Sequence, residues 1–573
     1  MGMSLLAVSF SIVLAAVSPL VGAWESSLTF GHNIAPGTVR LVTGSRRVAT
    51  IGGHVAYAPL SFDEPKTVFE FDDGSKLVFS SNSATGEWIQ PATTTYGESF
   101  TTPVVLTKRS ESESSGSVRP IADTTHFYLT VTQDADGSLT TFLRNPEVNA
   151  GARIGVRTLA VNGDSLRFRA DGKPDIIGAY DSSAKTLQLS LAGYPTPFTF
   201  KKVDAGATPG FAPRAGSSTF VYQEPVQKND GWQTASLTDV GLDPAKVAAF
   251  VDSILASPAT SPSAPYITSV SIARHGKLVL DEYFYGYDAS TVHDVRSAGK
   301  SITTLMVGDA MEDDSNIKTT TRLYDLLPQY DDALSSDPRK KNITVADLMT
   351  MSSGLACDDN DDSSPGNEGT MQSQTAVPDW YRYTLALPVV ADPGSKAVYC
   401  SAGINVLGAV IATANRGSLA DYFYDRFAGP MQFGPYALPM MPPPLNAAYM
   451  AGGGQFLPRD FLKFGQLILN GGTWNGRRIV DSQFIAAATS PHSGLNSPDD
   501  YGYGWHLSTF DVGGVSYPAI NAGGNGGQLL FVIPKLDMAV MITADNYGQY
   551  GVWRHFQTDP FENYLIPAAL ATH

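Results

Sequence analysis

Two regimes of hydrophobic patterning divide the chain. From residue 24 to about 205, apolar and polar positions alternate in short runs set apart by turn residues. "TVFEFDDGSKLVFSS" reads as a hairpin about Asp73-Gly74, and "THFYLTVTQDADGSLTTFLRN" repeats it about Asp136-Gly137. "IIGAYDSSAKTLQLSLAG" and "PFTFKKV" continue the strands. Helical periods are scarce here, so the spacing predicts an all-β barrel or sandwich. "KRSESESSGSVRP" (108 to 120) is polar and of low complexity, and is expected to be a mobile loop.

"DAGATPGFAPRAGSS" (204 to 218) is poor in apolar residues and rich in Gly, Ala and Pro, which reads as a linker. Beyond it the pattern mixes. "LDPAKVAAFVDSILAS" predicts a helix capped by Asp243 with Pro244 at its first position. "ITSVSIARHGKLVLDEYFYGY" predicts a hairpin at His275-Gly276, and "GQLLFVIPKLDMAVMITAD" a second near the C-terminus. A hairpin early, helices between and a hairpin late suit an antiparallel sheet with helices on its faces, an α+β domain. The resulting division is 1–23 signal peptide, 24–205 β-rich domain, 206–235 linker and 236–573 α+β domain.

The N-terminus is read as a secretory signal because Leu5 to Leu20 is an apolar run and Val21-Gly22-Ala23 offers a small-residue cleavage site before Trp24. No Lys or Arg precedes the run, and an uncleaved anchor is the alternative. No later segment is long and apolar enough to span a bilayer. The net charge of −16 argues against nucleic acid and anionic membrane surfaces as partners. Cys357 and Cys400 are the two cysteines. They are expected to form a disulfide because both sit beside motifs assigned to one site; two buried thiols are the alternative.

Chemistry concentrates in "HDVRSAGKSITTLMVGDAM" (293 to 311). Ser182/Lys185 and Ser315/Lys318 share the Ser-x-x-Lys spacing. Only Ser297 and Lys300 open an amphipathic helix, where i and i+3 share a face. A serine hydroxyl needs a base to become a nucleophile. Lysine serves as one only when neutral, which means lowering its pKa by ~3 units, or ~4 kcal/mol of disfavoured charge. Burial and the helix dipole are the expected sources. "KAVYCSAGINVLGAVIA" adds Tyr399, a phenol able to relay protons, and Ser401. "INAGGNGGQLLFVIPKLDMAV" adds Ala522, Gly523 and Gly524 where backbone can approach a ligand.

In this order the three motifs resemble the serine β-lactamase and penicillin-binding protein superfamily, most of all its esterase and amidase branch. "ITVADLMTMSSGL" (343 to 355), "GGGQFLPRDFLKFGQLILNGGTWNGRRIV" (452 to 480) and "YGYGWHL" (501 to 507) add to the resemblance, which spans about 240 to 560. It implies a β-lactamase-like catalytic domain, Ser297 as acylated nucleophile, Lys300 as general base and Tyr399 as proton relay. It also implies an oxyanion hole from the N–H groups of Ser297 and Asn525, with Ser401, Gly523 and Gly524 in the substrate pocket. A lipocalin-like barrel is the expected appendage. The sequence departs at Ala522, where relatives carry a cation that helps hold a substrate carboxylate. That favours esters or linear amides over lactams.

No Gly-x-Ser-x-Gly elbow and no His-Glu-x-x-His motif occurs, so neither an α/β-hydrolase nor a zinc site is expected. "CDDNDDSSPGNE" (357 to 368) does not fit an EF-hand and reads as a solvated loop. The expectation is a secreted serine hydrolase acting on a small-molecule ester or amide without metal or organic cofactor. An acyltransferase, or a binding protein that keeps the fold, is the alternative.

Overall fold

The computed structural model describes residues 17–571 apart from 30–36, 45–46, 59–65, 81–83, 93–97, 119–123, 147–154, 192–195, 218, 258–259, 415–416 and 499. The predicted hairpins form where turn chemistry demands them. Strands Ile267–Arg274 and Lys277–Tyr283 are joined by His275 and Gly276 at φ 52° and 74°. Two left-handed residues give the turn whose twist matches the strands it connects.

The β-rich stretch divides into two bodies. Strand Gly22–Thr29 and seven strands between Thr124 and Val203 close an eight-stranded barrel. Its interior is filled by Trp24, Phe127, Leu129, Phe168, Leu187, Leu189 and Phe200. The strands between Gly37 and Val118 are inserted between the first two barrel strands and close over a separate apolar core around Val39, Ile51, Leu77, Trp88 and Val104. Part of the predicted mobile loop is ordered: Glu113–Val118 pairs with Gly37–Thr43 along its whole length. Backbone pairing there depends little on the identity of the serine side chains.

The proposed cleavage motif falls on the barrel. Val21 precedes the first strand, which begins at Gly22. Leu20 is buried in the barrel core, and the Trp24 indole donates to its carbonyl at 2.8 Å. A cut before Trp24 would remove a core residue and part of a barrel strand. The apolar run up to residue 16 lies outside the described residues.

The region read as a linker has no helix or strand among the described residues from Asp204 to Trp232, yet it is pinned. Phe211 is buried, and the Arg144 guanidinium donates to the Gly210 carbonyl. Beyond it lies a seven-stranded sheet, ordered Gln233–Thr234, Lys277–Tyr283, Ile267–Arg274, Met538–Ala544, Gln528–Ile533, Val515–Gly524 and His506–Val512. Its pairings are antiparallel except for the first. Central strands are apolar on both faces because both are covered. Leu530 and Val532 face helices Gly299–Asp313, Ser401–Ala414 and Pro458–Leu469, while Leu529, Phe531 and Ile533 face Pro244–Leu255 and Ile566–Leu570. Asp243 caps Pro244–Leu255 as predicted, accepting the Ala245 N–H. No described helix is long and apolar enough to cross a membrane.

The two halves share a sheet. Strand Ser99–Val105 of the insert pairs with Tyr436–Met440, which pairs with Gln455–Phe456 and through it with His293–Asp294, just ahead of the Ser-x-x-Lys motif.

Candidate active site

Ser297 lies in a tight turn that ends this shared sheet. The Val295 N–H donates to the Gly454 carbonyl, and the Gly453 N–H to that of Arg296. Asp294 accepts the Arg296 N–H at 2.8 Å and pairs with its guanidinium at 2.8 Å. These contacts hold Arg296 at φ 49°, a left-handed conformation that costs a non-glycine residue of order 1 kcal/mol. The turn Arg296–Ala298 runs directly into helix Gly299–Asp313, which is buried from Lys300 to Ala310.

That helix carries Lys300, 2% exposed, back to the nucleophile. Its Nζ donates to Ser297 Oγ at 2.8 Å and to the Ala451 carbonyl at 2.8 Å, and stands 5.2 Å from the centre of the Tyr399 ring. Tyr399 is placed by the two residues after it. Cys400 is disulfide-bonded to Cys357, and Ser401 begins helix Ser401–Ala414.

Strand Val515–Gly524 closes another side. A Cβ on Gly524 would lie 2.3 Å from the Val295 carbonyl oxygen and 3.0 Å from Arg296 Cβ, so only glycine lets this strand end meet the turn. Gly523 is more open, with Leu529 at 3.8 Å as the one neighbour of such a Cβ. Asn525 occupies the turn after the strand, and its side chain accepts the Gly548 N–H at 2.9 Å. Ala522, at the place of the family's cation, is fully buried among core side chains.

Two expectations change. Lys300 does not sit in an environment that discharges it. Burial pushes its pKa down, but Tyr399 and the carboxyls of Glu368 and Asp359 push it up, and the net direction is upward. The carboxylates act whatever the state of the phenol, so the surroundings of Lys300 favour its charged form, where a neutral base was expected. Ser401, expected to face substrate, is 1% exposed, and its hydroxyl donates to Asp359 Oδ2 at 2.6 Å.

Asp359, Glu368 and His506 were missed as site residues. Asp359 and Glu368 belong to the acidic run read as a solvated loop. Asn360 to Ser363 are exposed, but the two outer carboxylates are only partly so and act on Lys300. His506, inside "YGYGWHL", also feels Lys300. Burial lowers its pKa to about 4, with Asp500 opposing and the Lys300 charge assisting. Among the described residues no cluster of His, Cys, Asp or Glu could hold a metal. A cavity of about 1030 Å³ lies between barrel and catalytic domain; its lining reaches Asp294 and Tyr547 and does not include Ser297.

A known family's profile, Beta-lactamase, matches residues 268–550. The chain carries a β-lactamase family domain. The match spans the Ser297 turn, the Tyr399 segment and the Gly523–Asn525 strand end, and it makes this chain an enzyme of the serine-hydrolase kind. No curated protein matches it. Solved structures similar to this chain include a putative 6-aminohexanoate-dimer hydrolase from Bacillus anthracis, 18% identical over 61% of this chain and 88% of that one, TM-score 0.44. Another is EstCE1, described as a hydrolase with promiscuous acyltransferase activity, 15% identical over 56% and 98%, TM-score 0.44. A mutant simvastatin synthase from Aspergillus terreus is 14% identical over 58% and 99%, TM-score 0.44.

Proposed function

We propose that this protein is a secreted serine hydrolase that cleaves carboxylic esters or linear amides through an acyl-enzyme on Ser297. The observation that carries the reading is the buried Lys300 side chain, in surroundings that favour its charged form, with Nζ 2.8 Å from Ser297 Oγ beside the Tyr399 ring. An ammonium has no lone pair with which to accept the serine proton. Tyr399, in its deprotonated form beside that charge, is the group left to take it. Ser297 Oγ bonds to the substrate carbonyl carbon as its proton passes to Tyr399, and the N–H groups of Ser297 and Asn525 receive the oxyanion. Collapse breaks the bond to the leaving group, which takes the proton back from Tyr399. Water, activated in the same way, then releases the acid and frees Ser297.

The buried Ala522 supports esters and linear amides over lactams, because no cation stands at that place to meet a carboxylate. The Cys357–Cys400 disulfide supports an oxidising compartment, and hence secretion. The barrel core supports a mature N-terminus ahead of Leu20.

The test is a panel of short-chain p-nitrophenyl esters, linear amides and nitrocefin, with and without a competing alcohol. Ester cleavage with little nitrocefin turnover is expected. Nitrocefin turnover matching that of the esters would refute the substrate class, and transfer to the alcohol exceeding hydrolysis would make the enzyme a transferase.

A further inference from the structure

The acidic run Cys357–Glu368 is tied at its first end to the segment that carries Tyr399 and at its last end to Asp359 and Tyr449. Asp359 Oδ2 accepts the Ser401 N–H at 2.7 Å and the Ser401 hydroxyl at 2.6 Å. The Asp359 N–H donates to the Tyr399 carbonyl at 2.9 Å. Asp359 Oδ1 accepts the N–H of Glu368, the first residue of helix Glu368–Ser373, at 2.9 Å. Glu368 Oε1 accepts the hydroxyl of buried Tyr449 at 2.6 Å. With Cys357 bonded to Cys400, the loop grips the residue after Tyr399 covalently and the next one through a carboxylate.

A surface loop needs none of this. Two carboxyls brought together repel, and burial and Glu368 raise the pKa of Asp359 above its ordinary value, with the Lys300 charge and the Ser401 contacts opposing them. The arrangement makes chemical sense if the pair serves a cation. Tyr399, Glu368 and Asp359 act on the Lys300 charge, which in turn acts on His506, and the Tyr399 ring centre stands 5.2 Å from Nζ. Glu368 also acts on Arg296, Tyr449 and Glu98.

We propose that Asp359, backed by Glu368, is a positioning residue that anchors Tyr399 through Cys400 and Ser401 and supplies the counter-charge to the Lys300 ammonium during acyl transfer. The proposal rests on the acyl-enzyme reading above and adds the groups that hold its proton acceptor and its cation in their working states.

Charge fixes the sign of the effect. Removing a negative charge near Lys300 makes the ammonium easier to deprotonate, so the alkaline limb of kcat/KM moves to lower pH. Asp359→Asn keeps an oxygen for the Ser401 contacts and removes the charge. It is expected to lower kcat about tenfold with KM changed less than about threefold, and to move the alkaline limb down by about one pH unit. Asp359→Glu, which restores the charge, is expected to return the limb towards its wild-type position. Glu368→Gln, which keeps the Tyr449 contact, is expected to shift the limb the same way and reads out the idea independently if Asp359→Asn fails to fold. A lowered kcat with the alkaline limb unmoved in the soluble variants would reduce Asp359 to a loop staple and overturn the proposal. Activity surviving in Ser297→Ala, measured alongside, would instead overturn the acyl-enzyme reading on which it depends.

Discussion

Lys300 works with one charge at two contacts. Its Nζ donates to Ser297 Oγ and to the Ala451 carbonyl beside the Tyr399 ring, and its surroundings favour the charged form. Lys300→Ala and Tyr399→Phe are each expected to lower kcat/KM on a p-nitrophenyl ester by at least ~100-fold, with the melting temperature changed far less for Tyr399→Phe. Either variant within about threefold of wild type would remove that residue from the chemistry. His506 gives a second test at this scale. Its value in the fold is about 4 against an ordinary 6.5, so the unfolded chain binds the proton more readily. The resulting stability is fully present above pH 6.5 and is lost as the pH falls towards 4, by at most about 3 kcal/mol. Thermal melts should therefore drop over that window, and His506→Gln should flatten the drop; an unchanged slope in the variant would contradict it. Ser297, Lys300 and Tyr399 were legible because an i, i+3 pair at a helix start and a tyrosine ahead of an apolar helix are local patterns. Asp359 and Glu368 were not, because their neighbours are solvated and what turns them inward is contact with Ser401 and Tyr449, residues remote in sequence.

At the level of elements, the site depends on how closely one strand end approaches one turn. Gly524→Ala would press a methyl to 2.3 Å from the Val295 carbonyl oxygen, a backbone atom that cannot swing aside. Displacement of the turn by even ~1 Å predicts a ~100-fold loss of kcat with a smaller effect on KM. Wild-type kinetics in this variant would mean that the strand end and the turn need not meet. Hairpins were legible wherever a Gly-containing turn joined alternating runs, as at Asp73-Gly74, Asp136-Gly137 and His275-Gly276. The pairing of Glu113–Val118 with Gly37–Thr43 was not, since it joins a serine-rich run to a distant partner through backbone groups and one Arg40–Glu113 ion pair.

Across the whole molecule, the barrel is docked by a buried cation. Arg144 lies 4.1 Å from the Tyr266 ring centre and 5.1 Å from that of Tyr128, with its guanidinium 3.6 Å from Asp545, which is wholly buried at the end of strand Met538–Ala544. Arg144→Met would leave Asp545 short of a counter-charge and is expected to cost about 3–5 kcal/mol. Calorimetry should then show a lower melting temperature or a separate barrel transition, and an unmoved single transition would contradict the docking role. Two-domain architecture was legible from the change in patterning near residue 205. The insertion of one all-β body within another was not, because the first barrel strand, Gly22–Thr29, pairs with Thr124–Gln133 nearly a hundred residues on, a separation that alternation does not encode.

The most direct measurement is the mass of the protein trapped during turnover. Acid quenching after mixing with a slowly released p-nitrophenyl ester, followed by peptide mapping, should find one acyl group, on Ser297, and none in Ser297→Ala. Turnover with no adduct, or an adduct on another residue while Ser297→Ala stays active, would contradict the mechanism.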